Sequence, residues 1–92
     1  MTTWTVTTTS PRGVDTVIGH ADTRLAAQRD MIAAVHARID CAHDDRPRYR
    51  ACIDGQLVAL IVTGDDDTGL PDHRSAAAMA AEIGCAVNPY AG

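Results

Sequence analysis

Phenylalanine and lysine are both missing from this 92-residue chain, and tryptophan occurs once. With only two tyrosines besides, a core of stacked aromatic rings is excluded. Stability must instead come from Val, Ile and Leu positions and from alanine-rich helices that approach a sheet closely. All eight basic residues are arginine, an arginine-and-alanine bias expected of an actinobacterial or phage gene product. Cysteine is scarce as well. Cys41, Cys52 and Cys85 form an odd set without CxxC spacing, which predicts reduced, packed thiols in a cytoplasmic protein. The amino-terminal Met-Thr-Thr-Trp-Thr-Val-Thr lacks the basic and apolar regions of a secretory leader. No apolar run approaches the roughly 18 residues of a membrane span, so a soluble protein with no membrane partner is expected.

What is present suits one ordinary domain, residues 1–92. The net charge of −4 is unevenly spread. Residues 1–50 hold seven Arg against six Asp, whereas residues 51–92 hold one Arg against six acids. A mildly acidic chain is a poor general binder of nucleic acid, because phosphate neutralisation supplies most non-specific affinity.

The most regular feature is a repeat. Gly19-His-Ala-Asp22-Thr-Arg24-Leu-Ala26-Ala27 and Gly69-Leu-Pro-Asp72-His-Arg74-Ser-Ala76-Ala77 share the pattern G-x-x-D-x-R-x-A-A. Each copy follows a strand-like run and opens an alanine-rich helical run, so Asp22 and Asp72 are predicted N-caps. A duplication of 4–43 and 48–87 and convergent capping both account for the echo.

Around the repeat, Thr- and Val-rich residues 4–9 predict a strand, returned by Val14–Ile18 through a three-residue turn at Pro11-Arg12-Gly13. That turn pairs Val6 with Ile18 and Trp4 with His20. It leaves Thr5, Thr7, Thr9, Asp15 and Val17 on a polar outer face. A helix running to about Ala42 carries Leu25, Gln28, Ile32, Val35 and Ile39 at helical spacing, and His43–Pro47 ends it. Residues 48–53 and 56–62 flank Asp54-Gly55, a strong hairpin signal. The pairing predicts Tyr49, Ala51, Ile53, Val58, Leu60 and Val62 inward, and Arg48, Arg50, Cys52, Leu57, Ala59 and Ile61 outward. The last strand, apolar on both sides, is expected at the centre of the sheet. A flexible acidic loop, 64–69, leads to a second helix with Ala76, Met79, Ala80 and Ile83 on one face, ending near Gly84. The predicted fold is α+β: a two-layer ββαββα sandwich, its four-stranded, mostly antiparallel sheet carrying both helices on one face.

Candidate chemistry is sparse. His36, Asp40 and His43 fall at i, i+4 and i+7, a spacing that can converge on a metal. They also flank the apolar stripe as rim residues would, and no metal is expected. Asp65, Asp66 and Asp67 begin an acidic run, but Leu70 and Ala76 stand where a calcium loop needs Gly and Glu. No nucleophile elbow, phosphate loop or dinucleotide fingerprint occurs, so neither catalysis nor a cofactor is expected. A metal-dependent enzyme using His36, Asp40 and His43 is the remote alternative. Arg46, Arg48 and Arg50 form the one basic cluster and define a second alternative, a regulatory nucleic-acid-binding domain. Strand alternation turns Tyr49 away from Arg48 and Arg50, which removes a stacking platform. Arginine mixed with outward aliphatics suits a protein interface better. The expected function is therefore a non-catalytic protein-interaction module using Arg48, Arg50, Leu57, Ala59 and Ile61. Its partner is another protein or a second copy, as in a phage or accessory-gene product acting on a host protein. Val87–Gly92 folding back over this face is the competing expectation.

Asp22-Thr23-x₃-Ala27-x₆-Ala34, following a hairpin, resembles the helix opening of HicB-type antitoxins. The family's aromatic Gly-Tyr segment and Leu-Pro-Gly step are missing. The resemblance implies an antitoxin-like sheet-and-helix module and no more.

Overall fold

A computed structural model of the chain describes residues 1–42 and 45–86, with the side chains of 84–86 set aside. The elements run β1 (Thr2–Ser10), β2 (Gly13–Ala21), α1 (Arg24–Asp40), β3 (Arg48–Ile53), β4 (Gln56–Val62) and α2 (His73–Ala86). All strand pairs are antiparallel, and the sheet order is β2-β1-β3-β4. This is the α+β ββαββα sandwich the sequence predicts, with both helices on one face and the other face open. The two hairpins lie side by side, joined by the β1–β3 pairing.

The core lies between sheet and helices. Trp4, Val6, Tyr49, Ala51, Ile53, Ala59 and Ile61 point into it from the strands. Ala27, Met31, Ile32, Val35 and Ile39 meet them from α1, and Ala76 and Ala80 from α2. Small alanines bring the helices near the sheet, as a chain without Phe requires. Gln28, buried on α1, donates from Nε2 to the Ile83 carbonyl at 3.3 Å and ties the helices together. Leu25 and Met79, expected inside, are instead substantially exposed.

Strand registers differ from expectation in both hairpins. The first turn holds two residues, Pro11 and Arg12, so Val6 faces Val17 and Trp4 faces Gly19. The cause is steric: a Cβ at Gly19 would lie 2.2 Å from the Trp4 indole, so any larger residue there forces the ring or β2 to move. Consequently Asp15 and Val17 take the helix side, while Val14, Thr16, Ile18 and His20 face out.

The second turn is as expected, with Ile53 opposite Gln56 and positive φ at Asp54 and Gly55. A bulge opposite Ala51 and Cys52 then inserts one residue into β4. Beyond it every β4 side chain changes face. Ala59 now meets Ala51, and Ile61 meets Tyr49 inside the core, while Leu60 and Val62 turn outward. β4 lies at the edge of the sheet, not its centre.

The helix starts also differ. Thr23, not Asp22, caps α1, its Oγ1 accepting from the Ala26 amide at 3.1 Å. Asp72 caps α2 as predicted, accepting from the Ser75 amide at 3.0 Å and the Ser75 hydroxyl at 2.7 Å. The same Ser75 bonds hold the Asp72 carboxyl below its ordinary range. α2 continues past Gly84 to Ala86.

Candidate functional site

Among the described residues, helices cover one face of the sheet and leave the other open; the Val87–Gly92 tail, expected as an alternative cover, lies outside them. β1 contributes Thr3, Thr5, Thr7 and Thr9 to the open face, knitted to β2 by Thr3–His20 and Thr7–Thr16 side-chain bonds of 3.0 and 3.3 Å. β3 adds Arg48, Arg50 and half-buried Cys52. β4 adds Leu57, Leu60 and Val62, which are 54%, 54% and 51% exposed.

Of the five residues expected to share the outward face, the structure places three there. Arg48, Arg50 and Leu57 are exposed. Ala59 and Ile61 are not on this surface, because the bulge buries them, Ile61 to 1% exposure. Leu60 and Val62 take their places. A single inserted residue leaves no mark in the alternation of an all-apolar strand. The small size of Ala59, suited to a helix packed close, was the available signal.

The electrostatics of this face are one-sided. Its outward strand residues include no carboxylate, since Asp15 lies on the helix side and pairs with Arg38. Arg48 and Arg50 have no ion pair or hydrogen-bond partner among the described residues. Arg46 is occupied elsewhere: it pairs with Asp65 and donates from Nη2 to the Gly69 carbonyl at 2.7 Å. The predicted three-arginine cluster is therefore divided. Trp4 and Tyr49 are both buried on the opposite side, and among the described residues the one ring on the open face is the imidazole of His20, held by Thr3 on β2 with β1 between it and the arginines. Burial also pushes the Tyr49 hydroxyl up, with neighbouring Thr63 offsetting part of the rise.

The acidic loop is more organised than its composition suggests. Asp66 Oδ1 accepts from the Thr68 amide, the Thr68 hydroxyl and the Leu70 amide at 2.8, 2.6 and 3.0 Å. These bonds hold the Asp66 carboxyl below its ordinary range. Its oxygens are directed into the loop's own backbone, an Asx-turn arrangement that serves shape.

His36 and Asp40 lie on α1, while His43 lies outside the described residues. Among the described residues no three His, Cys, Asp or Glu side chains are grouped to hold a metal. Cys41 and Cys52 are free thiols. A cleft of about 250 Å³ opens between the first hairpin turn and the end of α1. Arg12–Asp45 at 3.1 Å and Arg38–Asp15 neutralise the charges at its rim. Among the described residues no helix is long and apolar enough to cross a membrane.

No protein-family model, curated protein or solved structure matches the chain, and the short resemblance to HicB-type antitoxins gains no support from them.

Proposed function

We propose that the chain is a non-catalytic protein-interaction module whose working surface is the β3–β4 half of the open face. One observation carries this reading. β4 buries Ala59 and Ile61, half-buries Val58, and turns Leu57, Leu60 and Val62 outward. A strand gains nothing from that choice in isolation, because about 25 cal/mol per Å² of apolar burial is forgone. Covering by a partner recovers it. Arg48 and Arg50, unpaired among the described residues, supply the polar component common at such interfaces.

The partner is another protein in preference to a second copy. Face-to-face self-association would bring Arg48 and Arg50 against the same arginines with no carboxylate between them. A nucleic-acid partner fits less well, because Arg46 is engaged and, among the described residues, no ring stands beside Arg48 and Arg50 for a base to stack on. The expectation of a phage or accessory-gene product acting on a host protein belongs to this proposal.

The test places a photo-crosslinking residue at Leu60 or at Thr16, on the opposite edge strand, in cells of the native host. A specific adduct is expected from position 60, lost in Leu57→Asp with circular dichroism unchanged. Equal adducts from both positions, or an adduct indifferent to Leu57→Asp, would overturn the assignment.

A further inference from the structure

Where the partner sits on this surface follows from the edge of the sheet. Among the described residues the outer side of β4 pairs with no strand, and its backbone joins none of the hydrogen bonds made outside helices and strands. Sheet edges are usually guarded by charge, proline, a bulge or a covering element. The other edge, β2, carries Asp15 within an ion pair and Gly13 and Gly19 within the strand. β4 reads Gln-Leu-Val-Ala-Leu-Ile-Val without charge, Gly or Pro, and its one device is the bulge near its start. Past the bulge, Ala59 to Val62 present a regular free edge.

Beside that edge stand the two arginines. Arg50 is opposite Leu60 and Arg48 is opposite Val62, so both flank the regular part of β4 on its open face. An added strand would lie one spacing beyond β4, about 4.8 Å. An arginine can lay its aliphatic stem over Leu60 or Val62 and carry its guanidinium toward that strand. Arg48 and Arg50 are two residues apart on one strand face, so the complementary carboxylates stand at i and i+2 of the incoming segment.

We infer that β4 is a strand acceptor for an extended segment of another protein that presents a pair of carboxylates at i and i+2 to Arg48 and Arg50. The inference rests on the proposed interaction surface and adds its mode and chemistry. Backbone hydrogen bonds to β4 would supply affinity, and the arginine pair would select and orient the segment. A second copy is a poorer occupant. Closed antiparallel pairing of β4 with itself brings Asp54, at one end, against Asp65, Asp66 and Asp67 at the other.

The probe is a peptide of about nine residues alternating valine and glutamate, long enough to span a strand. Its comparators carry lysine for glutamate, or N-methyl groups on alternate backbone nitrogens, made in both alternations. The full-length protein, ¹⁵N-labelled, is titrated with each at low salt. Amide shifts should concentrate at Ala59–Val62, with the glutamate peptide at least about tenfold tighter than the lysine peptide. Arg48→Glu combined with Arg50→Glu should reverse that preference. N-methylation on the edge-facing alternation should abolish binding while leaving the peptide's charge unchanged. Absence of binding, equal affinity for both charges, or tolerance of both N-methyl sets would overturn strand addition. So would a dimer of the protein alone that Leu60→Asp dissociates, which would make a second copy the occupant. The crosslinking outcome at position 60 is separate, so failure here with an adduct there would reject the docking mode and spare the surface.

Discussion

The two hairpins share a topology and differ in how their register is set. In the first, a bulky residue decides: Trp4 occupies space above β2 that only Gly19 leaves free. In the second, the turn places Ile53 opposite Gln56, and a bulge then shifts the rest of β4 by one residue. Pleated strands have a period of two, so the first device exchanges the inner and outer sets of β2, and the second exchanges those of β4 beyond the bulge. The first exchange is modest in consequence, since it swaps Val17 for Ile18 beside a row of threonines. The second creates the proposed surface, because it sends Leu60 and Val62 out beside Arg48 and Arg50.

The sharpest way to break this comparison is to truncate neighbours on β4. Ile61→Ala should destabilise by about 2–5 kcal/mol, as large-to-small changes in packed cores do. Leu60→Ala, on the open face, should cost less than about 1 kcal/mol. Urea denaturation followed by circular dichroism measures both. The reverse order would mean that β4 continues without a bulge, and the open face would then carry Ala59 and Ile61.

The first hairpin has its own test. Gly19→Ala places a methyl group where the indole lies, so the ring or β2 must move. The expected cost is about 1–3 kcal/mol, typical of overpacking. Pairing it with Trp4→Leu should relieve most of the added strain, giving a coupling between the two positions in a double-mutant cycle. Additive effects would show that Trp4 does not set the register.

How much of this was legible in the sequence depends on the kind of signal. Helical periodicity located α1 and α2, and Asp54-Gly55 gave the second turn, since each is a local preference carried by adjacent residues. The registers were not legible from alternation. Val17 and Ile18 are both apolar, as are all residues from Leu57 to Val62, so pattern cannot choose a face. The choice is made by contacts across the sheet: an indole over a glycine, and alanines beneath a close helix. The position of β4 at the edge was hidden for a related reason. Burial on both faces and docking of a partner on one face call for the same apolar composition. The exposed aliphatics that misled the sheet order are the ones that carry the proposed site.

The repeated G-x-x-D-x-R-x-A-A is where the halves look most alike and act least alike. Gly19 makes room for Trp4, whereas Gly69 takes a positive φ of 81° in a loop. A hydroxyl at Thr23 caps α1, and a carboxylate at Asp72 caps α2. The two caps should therefore respond differently to acid. The Asp72 carboxyl is held below its ordinary value of 3.8 by Ser75. Its contribution is thus fully present above that value and is lost as pH falls through the lower folded one. Asn also caps well, so Asp72→Asn should leave the melting temperature at pH 7 nearly unchanged and flatten its fall below about pH 4. Thr23→Ala should instead cost about 1 kcal/mol at both ends of that range. Thermal melts of the three proteins between neutral and acidic pH read both effects. An Asp72→Asn profile parallel to the wild type would mean that the carboxylate adds nothing beyond its hydrogen-bonding shape, and the two caps would then be equivalent.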